Sequence, residues 1–283
     1  MSLYPLAQVS PYDDDRTNFD GSYQALLTRG DTDGGENAAW NTGWKMNCYA
    51  RSLEGDLALR QLAYCMAERI TPDLRSTCKH TFQIEGGAGI AAGMAEMLLQ
   101  SYSGVIDLLP ALPEQSWHGG SIKGLKAVGN YEVAIEWEDN AMTSATITDC
   151  LNGTMREGTE IRVHGSRLPG DINLLQVNGV NAVDEATAVY SRANSVKPTY
   201  RREERTDSYV VTIPAGSPKV TKITFGEDIS TGIDSITPDS IADDANAPVE
   251  YFNLQGIRVN ADALTSGVYV VRQGAKVSKV IIK

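Results

Sequence analysis

With 283 residues, the chain has room for one large domain or two to three small ones, and it needs no disulfide to hold a core. Hydrophobic residues at 42% and charged residues at 22% exclude wholesale disorder and collagen, and no apolar run approaches the length of a membrane span. A net charge of −11 repels nucleic acid and anionic membrane surfaces, so neither is expected as a partner.

The first hundred residues read as helical. Tyr23 to Arg29 and Trp44 to Leu53 are the weaker stretches. Between Leu57 and Ile70, apolar residues recur as Leu59, Leu62, Ala63, Met66 and Ile70, with Asp56 placed to cap the start. Ile90, Met94, Met97 and Leu98 form another apolar face, and Gly104 reads as the stop. Cys48, Cys65, Cys78 and Cys150 have no CxxC spacing, so buried thiols are expected rather than a metal site, and no cofactor is implied.

From Val105 the period changes to two. Tyr131 to Trp137 alternates and ends at the turn Asp139-Asn140. Ala145–Thr148, Thr159–Val163, Leu174–Val177, Tyr209–Ile213 and Val220–Phe225 also read as strands, separated by Gly- and Pro-bearing turns, which predicts an antiparallel β-sandwich. Residues 228–248 carry five acidic residues and no basic one, and read as a linker. Val268–Val271 and Val277–Ile282 then form two strands about a turn at Gln273-Gly274. The expected fold class is therefore α+β and multidomain: helices over 1–104, a β-sandwich over 105–227, the linker, and a small β module over 249–283.

Chemistry concentrates in the loop expected at Thr71 to Ala88. There Glu85 precedes Gly86-Gly87-Ala88-Gly89 at the mouth of a helix. Glycines let a backbone approach a ligand closely, and a helix start is favourable to a carboxylate. The plainer alternative is a helix-start stabiliser beside a tight turn. Trp40 and Trp44 flank Asn41-Thr42-Gly43, read as a turn; a tryptophan can stack on a sugar face, although Trp44 suits the core. Lys45 is expected at the surface, and His118 and His164 as isolated, solvated or locally bonded imidazoles.

The run Phe82-Gln83-Ile84-Glu85-Gly86-Gly87-Ala88-Gly89, followed by Glu96-Met97-Leu98-Leu99-Gln100-Ser101, resembles glycoside hydrolase family 95, the inverting α-L-fucosidases, which show FQIDGNFG and AEMLLQS. Ile106 to Pro113, Trp117, Gly119 and Gly124-Leu125 continue the match; upstream it includes Tyr4-Pro5, Gly43-Trp44-Lys45-Met46-Asn47 and Ala50-Arg51. The resemblance spans about Tyr4 to Gly153. It implies the last third of an (α/α)6 catalytic barrel followed by a β-sandwich, and an oligosaccharide substrate. Glu85 takes the place of the family aspartate on the water side of the sugar, and is the implied catalytic residue. Gln83, His80 and Trp40 are the expected substrate-binding residues, Trp40 on the stacking argument above.

The family's general acid and asparagine pair lie upstream of this stretch. The chain is thus expected to be the C-terminal piece of a longer enzyme, to pair with the rest of the barrel, and to be inactive alone. Gly87 and Ala88 replace a family asparagine and phenylalanine, and Lys79-His80-Thr81 replaces His-Pro-Pro; these departures extend the implied substrates to related sugars such as α-L-galactosides.

The segment Tyr251 to Val259, with Gly267-Val268-Tyr269-Val270-Val271, resembles the C-terminal sorting modules of exported bacterial polysaccharide-degrading proteins. It implies an exported protein, although Met-Ser-Leu-Tyr carries no signal-peptide pattern. The competing reading is a non-catalytic carbohydrate-binding or structural sandwich, which would place sugar on an aromatic sheet face near Trp117 or Trp137. The sequence sets no oligomeric state.

Overall fold

The computed structural model describes residues 2–30, 38–188, 197–226, 249–253, 258–261, 264–273 and 276–282. Four helices form in the first hundred residues: α1 (Thr17–Thr28), α2 (Ala39–Arg51), α3 (Gly55–Glu68) and α4 (Ile84–Leu98). Phe19, Leu26, Met46, Tyr49, Ala58, Cys65, Ile90 and Met97 merge into one core with Leu3 and Val9.

Three helix boundaries differ from the sequence reading. Asp56 does not cap α3: Glu54 holds the cap position and makes no side-chain cap, because its carboxylate accepts the Tyr23 hydroxyl at 2.6 Å. Asn41-Thr42-Gly43 is not a connecting turn but lies within α2, from its first turn into its second. Gly104 does not stop α4, which ends at Leu98 as the chain becomes extended. Lys45, expected at the surface, is buried, and its ammonium donates to the Gly30 carbonyl at 2.7 Å.

The glycine-rich stretch is the largest departure. It lies inside α4, where Gly86, Gly89 and Gly93 recur at helical spacing along one face. A Cβ on Gly86 would lie 2.2 Å from the Ala39 Cβ, one on Gly93 would meet the Met46 side chain at 2.7 Å, and one on Gly43 would meet the Gly89 backbone at 3.1 Å. Ala39, Gly43 and Met46 thus face Gly86, Gly89 and Gly93 in the same order, so α2 and α4 run parallel with their starts together. Asn47 stitches them, donating to Gly43 O at 2.7 Å and Gly89 O at 2.8 Å. The glycines serve helix contact.

Between α3 and α4, β1 (Thr77–Cys78) and β2 (Thr81–Phe82) make a short hairpin. Then follow β3 (Leu99–Gln100), β4 (Ile106–Leu108), β5 (Gly120–Ala127), β6 (Tyr131–Glu138), β7 (Ala141–Asp149), β8 (Glu160–His164), β9 (Leu175–Val177), β10 (Val180–Asn181), β11 (Val183–Asp184), β12 (Thr199–Glu203), β13 (Ser208–Thr212) and β14 (Val220–Phe225). Among the described residues they form two six-stranded sheets, in orders β10-β9-β14-β7-β6-β5 and β11-β12-β13-β8-β4-β3.

Tyr131, Val133, Ile135 and Trp137 point inward from the first sheet and meet Ile106, Leu108, Ile161, Val163 and Val211 of the second in one core. Asp139 and Asn140, both at positive φ, close the β6–β7 hairpin in the turn class whose twist suits it. The antiparallel expectation is corrected in the second sheet, where β4 pairs with β8, and β11 with β12, in parallel. Neither pair is a hairpin, so sequence alternation alone does not set direction.

The other face of the second sheet carries charge. Arg201, Val210, Arg162 and Asp107 are register neighbours across β12, β13, β8 and β4, with Glu203, Ser208 and His164 in the next row. Asp107 is buried; it accepts from the Tyr12 hydroxyl at 2.5 Å and from His164 Nε2 at 2.9 Å, and Arg162 lies 3.4 Å away. Arg162 also pairs with Glu203 and stacks 3.5 Å over the Tyr12 ring. His164 is therefore no isolated imidazole. These partners hold Asp107 below the usual carboxylate range against the opposing effect of its burial, which is the largest single influence. The same segment is tied to α2, since Arg51 donates to Leu3 O at 2.9 Å and Trp44 Nε1 to Tyr4 O at 3.0 Å.

Met1–Glu227 and Asp228–Lys283 are separate compact units. The expected linker at 228–248 and the turn glycine Gly274 lie outside the described residues. In the second unit, β15 (Val249–Phe252), β16 (Arg258–Val259), β17 (Gly267–Gln273) and β18 (Lys276–Ile282) form a sheet in the order β16-β15-β17-β18.

Candidate functional site

The parallel packing of α2 and α4 brings their N-terminal ends side by side, and three of the four sequence-named residues gather there. Trp40, in the first turn of α2, is 49% exposed. Its backbone N–H donates to Gln83 Oε1 at 3.3 Å. Gln83 is the residue before α4, and Glu85 stands in the first turn of that helix, fully on the surface. Among the described residues the Glu85 carboxylate has no hydrogen bond or ion pair. Trp44 is half-buried against the helical core, Trp137 is buried and Trp117 half-buried. Trp40 is thus the tryptophan with a ring face open to a ligand.

His80 is placed apart. It sits with Lys79 at the tip of the β1–β2 hairpin, exposed, and among the described residues no hydrogen bond or ion pair joins it to Trp40, Gln83 or Glu85. The residue that sequence reasoning missed is Ser76. Its buried hydroxyl donates to the Gln83 carbonyl and accepts from Gly87 N–H at 3.0 Å, while Gln83 N–H donates to Ser76 O at 2.8 Å. Ser76 thus fixes the entry to α4 from the preceding hairpin. A serine seven residues before the helix has no local capping pattern, so only the three-dimensional return of the chain discloses it.

Phe82 and Ile84 are exposed beside these polar groups, at 55% and 66%. The end of the helix pair therefore combines an unpaired carboxylate, an amide, an indole ring and apolar side chains. That set can orient a water, hydrogen-bond a hydroxyl and stack on the apolar face of a ring. Among the described residues no group of three His, Cys, Asp or Glu side chains could hold a metal ion. Nor is any helix among them long and apolar enough to cross a membrane.

Residues 1–98 match the glycosyl hydrolase family 95 catalytic domain, and residues 100–192 match the family's C-terminal domain. The chain belongs to glycoside hydrolase family 95. Relatives include Alpha-L-fucosidase 2 of Arabidopsis thaliana, 32% identical over 151 residues, and Probable alpha-fucosidase A of Aspergillus niger, 26% identical over 154 residues. Those alignments cover 49% and 50% of this chain, but only 18% and 19% of the relatives, so the chain corresponds to a small part of their length. The catalytic-domain match includes Trp40, His80, Gln83 and Glu85, and the boundary between the two family-95 domains falls where α4 gives way to β3.

Proposed function

We propose that this chain is the C-terminal part of an exported, inverting glycoside hydrolase acting on α-L-fucosides or related α-L-sugars such as α-L-galactosides. One observation carries the reading. At the place of the family aspartate, the Glu85 carboxylate stands exposed and unpaired at the same helix ends as Gln83 and the open ring of Trp40. Glu85 acts on the water side of the scissile bond, and the general acid comes from a segment that the resemblance does not reach. Inversion requires these two groups to stand far enough apart to admit the water. Trp40 stacks on the sugar and Gln83 bonds a hydroxyl, while His80 reaches in from the hairpin tip.

The parallel pair α2 and α4, with α3 returning between them in the chain, suits two inner helices and one outer helix of an (α/α)6 barrel. The rest of that barrel covers the exposed Phe82, Ile84 and Met94. The two six-stranded sheets act as a β-sandwich against it. Residues 1–104, 105–227, 228–248 and 249–283 then serve as barrel part, sandwich, linker and sorting-like tail.

The test is Glu85→Gln in the complete enzyme, assayed on aryl α-L-fucosides and α-L-galactosides. It keeps shape and loses charge, so kcat is expected to fall by about two orders of magnitude or more with KM less changed. A near wild-type kcat would reduce Glu85 to a helix-start residue. The 283-residue chain alone is expected to show no turnover, because acid assistance worth roughly two to four orders of magnitude is missing. Robust turnover by it would overturn the reading.

A further inference from the structure

Tyr12 divides a groove on the charged face of the second sheet. On one side an open cleft of ≈ 440 Å³ is walled by Ser10, Tyr102, Glu160 and Arg201. On the other, a cleft of ≈ 530 Å³ is walled by Asp14, Glu204 and Arg205. Tyr12 and Glu203 line both. Each volume falls within the range of small-molecule sites, about 300–1,000 Å³, yet the walls are mainly polar where such sites are usually apolar.

The charges select the class of ligand. Arg201 is held by both oxygens of Glu160, and Arg162 by both oxygens of Glu203. An anion would have to displace the carboxylates already seated on Arg201 and Arg162, while Arg205 donates to the Asp13 and Asp14 backbone carbonyls, inside a groove that also carries Asp14 and Glu204. A metal cation lacks a ligand set among the described residues. What remains is a row of donors and acceptors, with the N–H groups of Arg201 and Arg162 beside carboxylate oxygens that have lone pairs to spare. A hydroxyl, which donates and accepts at once, fits such a row.

We propose that this groove binds a neutral oligosaccharide. The choice of a saccharide among neutral polyols rests on the glycoside hydrolase reading; the groove and its polarity do not.

The test uses the purified 283-residue chain on an array of neutral and uronate-bearing oligosaccharides, followed by calorimetric titration of the best-retained glycan. Neutral glycans are expected to be retained and the uronates rejected. Arg201→Ala and Glu160→Gln should each weaken binding about 3–10-fold, the worth of one or two hydrogen bonds. Glu85→Gln should leave this titration unchanged, so failure of the groove and failure of the hydrolase assignment read out on different variants. Retention of no glycan, retention of uronates alone, or binding that survives both Arg201→Ala and Glu160→Gln would overturn the proposal. Binding lost in Glu85→Gln but kept in Arg201→Ala would place the sugar at the helix ends and overturn it equally.

Discussion

Gly86→Ala and Gly87→Ala are neighbouring substitutions of identical chemistry, and the structure gives them opposite signs. A new Cβ at Gly86 lies 2.2 Å from the Ala39 Cβ and 3.0 Å from the Ala39 backbone. Carbon atoms pack at about 3.5–4.0 Å, so α2 and α4 would have to part by more than 1 Å at their starts. Overpacking of this kind costs roughly 1–3 kcal/mol, against at most about 1 kcal/mol gained by replacing a helical glycine with alanine. At Gly87 the new Cβ meets only Ser76 Oγ, at 3.5 Å, an ordinary contact, and the propensity gain of about 0.5–1 kcal/mol stands alone. For a unit of this size each kcal/mol moves the melting temperature by about 2–4 °C. Thermal unfolding of the purified chain at 222 nm should therefore show Gly86→Ala several degrees below wild type and Gly87→Ala slightly above it. Gly93→Ala should fall between Gly86→Ala and wild type, since it meets a flexible methionine that can swing aside. If Gly86→Ala melted with wild type, or Gly87→Ala melted lower than Gly86→Ala, the reading of the motif as a helix-contact face would be wrong.

Asp107→Asn keeps one carbonyl acceptor but removes the carboxylate charge shared by Tyr12, His164 and Arg162, and a broken buried ion pair costs about 3–5 kcal/mol, measurable by urea unfolding. Asp107 and Asp149 both have depressed folded pKa values, so the native state binds fewer acid protons than the unfolded one. Their stabilisation is complete above the ordinary carboxylate pKa of about 4 and is lost as the pH falls through the lowered values; acid titration of stability should flatten in Asp107→Asn and Asp149→Asn. Burial raises the Cys48 thiol to about 12 and the Cys65 thiol to about 11, while Cys78 and Cys150 are partly exposed. Alkylation at pH 8 followed by peptide mass spectrometry should label Cys78 and Cys150 first, and early labelling of Cys48 would contradict the packing. Ser76→Ala should cost about 1 kcal/mol, seen in thermal unfolding, by freeing the entry to α4.

Where the sequence was legible, one element answered to one local period. The alternation Tyr131 to Trp137 is buried as read, with Val133 and Ile135 fully inside, and Asp139-Asn140 makes the turn. The glycines were misread because the same residue serves two opposite purposes. A glycine run suggests an irregular backbone, yet the spacing 86, 89, 93 is itself a helical stripe, and helical glycines are tolerated when another backbone lies against them. The apolar residues Ile90 and Met97, seven apart and both buried, carry the helix period through the end of the run. At the helix ends, Glu85 and Gln83 stand in a recognisable motif and Trp40 stands out by its ring chemistry, whereas Ser76 carries no such signal, because its contacts depend on a hairpin that folds it back.

The charged face of the second sheet was invisible for a different physical reason. Its members are Tyr12 from the N-terminal segment, Asp107 from β4, Arg162 and His164 from β8 and Glu203 from β12, far apart in sequence and brought together by strand register and by the crossing of the N-terminal segment. A trace did exist. Asp107 interrupts Ile106 and Leu108, and Arg162 and His164 alternate with Ile161 and Val163. Alternation assigns such charges to a solvent face, and it was right about the face: Ile106, Leu108, Ile161 and Val163 line the core. It could not foresee that residues 10–14 cross that face and bury Asp107 beneath Tyr12. A carboxylate so covered must find partners, and it takes three, Tyr12 from the N-terminal segment and Arg162 and His164 from β8. Earlier in the same N-terminal stretch, the Leu3 and Tyr4 carbonyls are bonded to α2 through Arg51 and Trp44. Residues 3–14 therefore touch both α2, which carries Trp40, and the sheet that carries the groove.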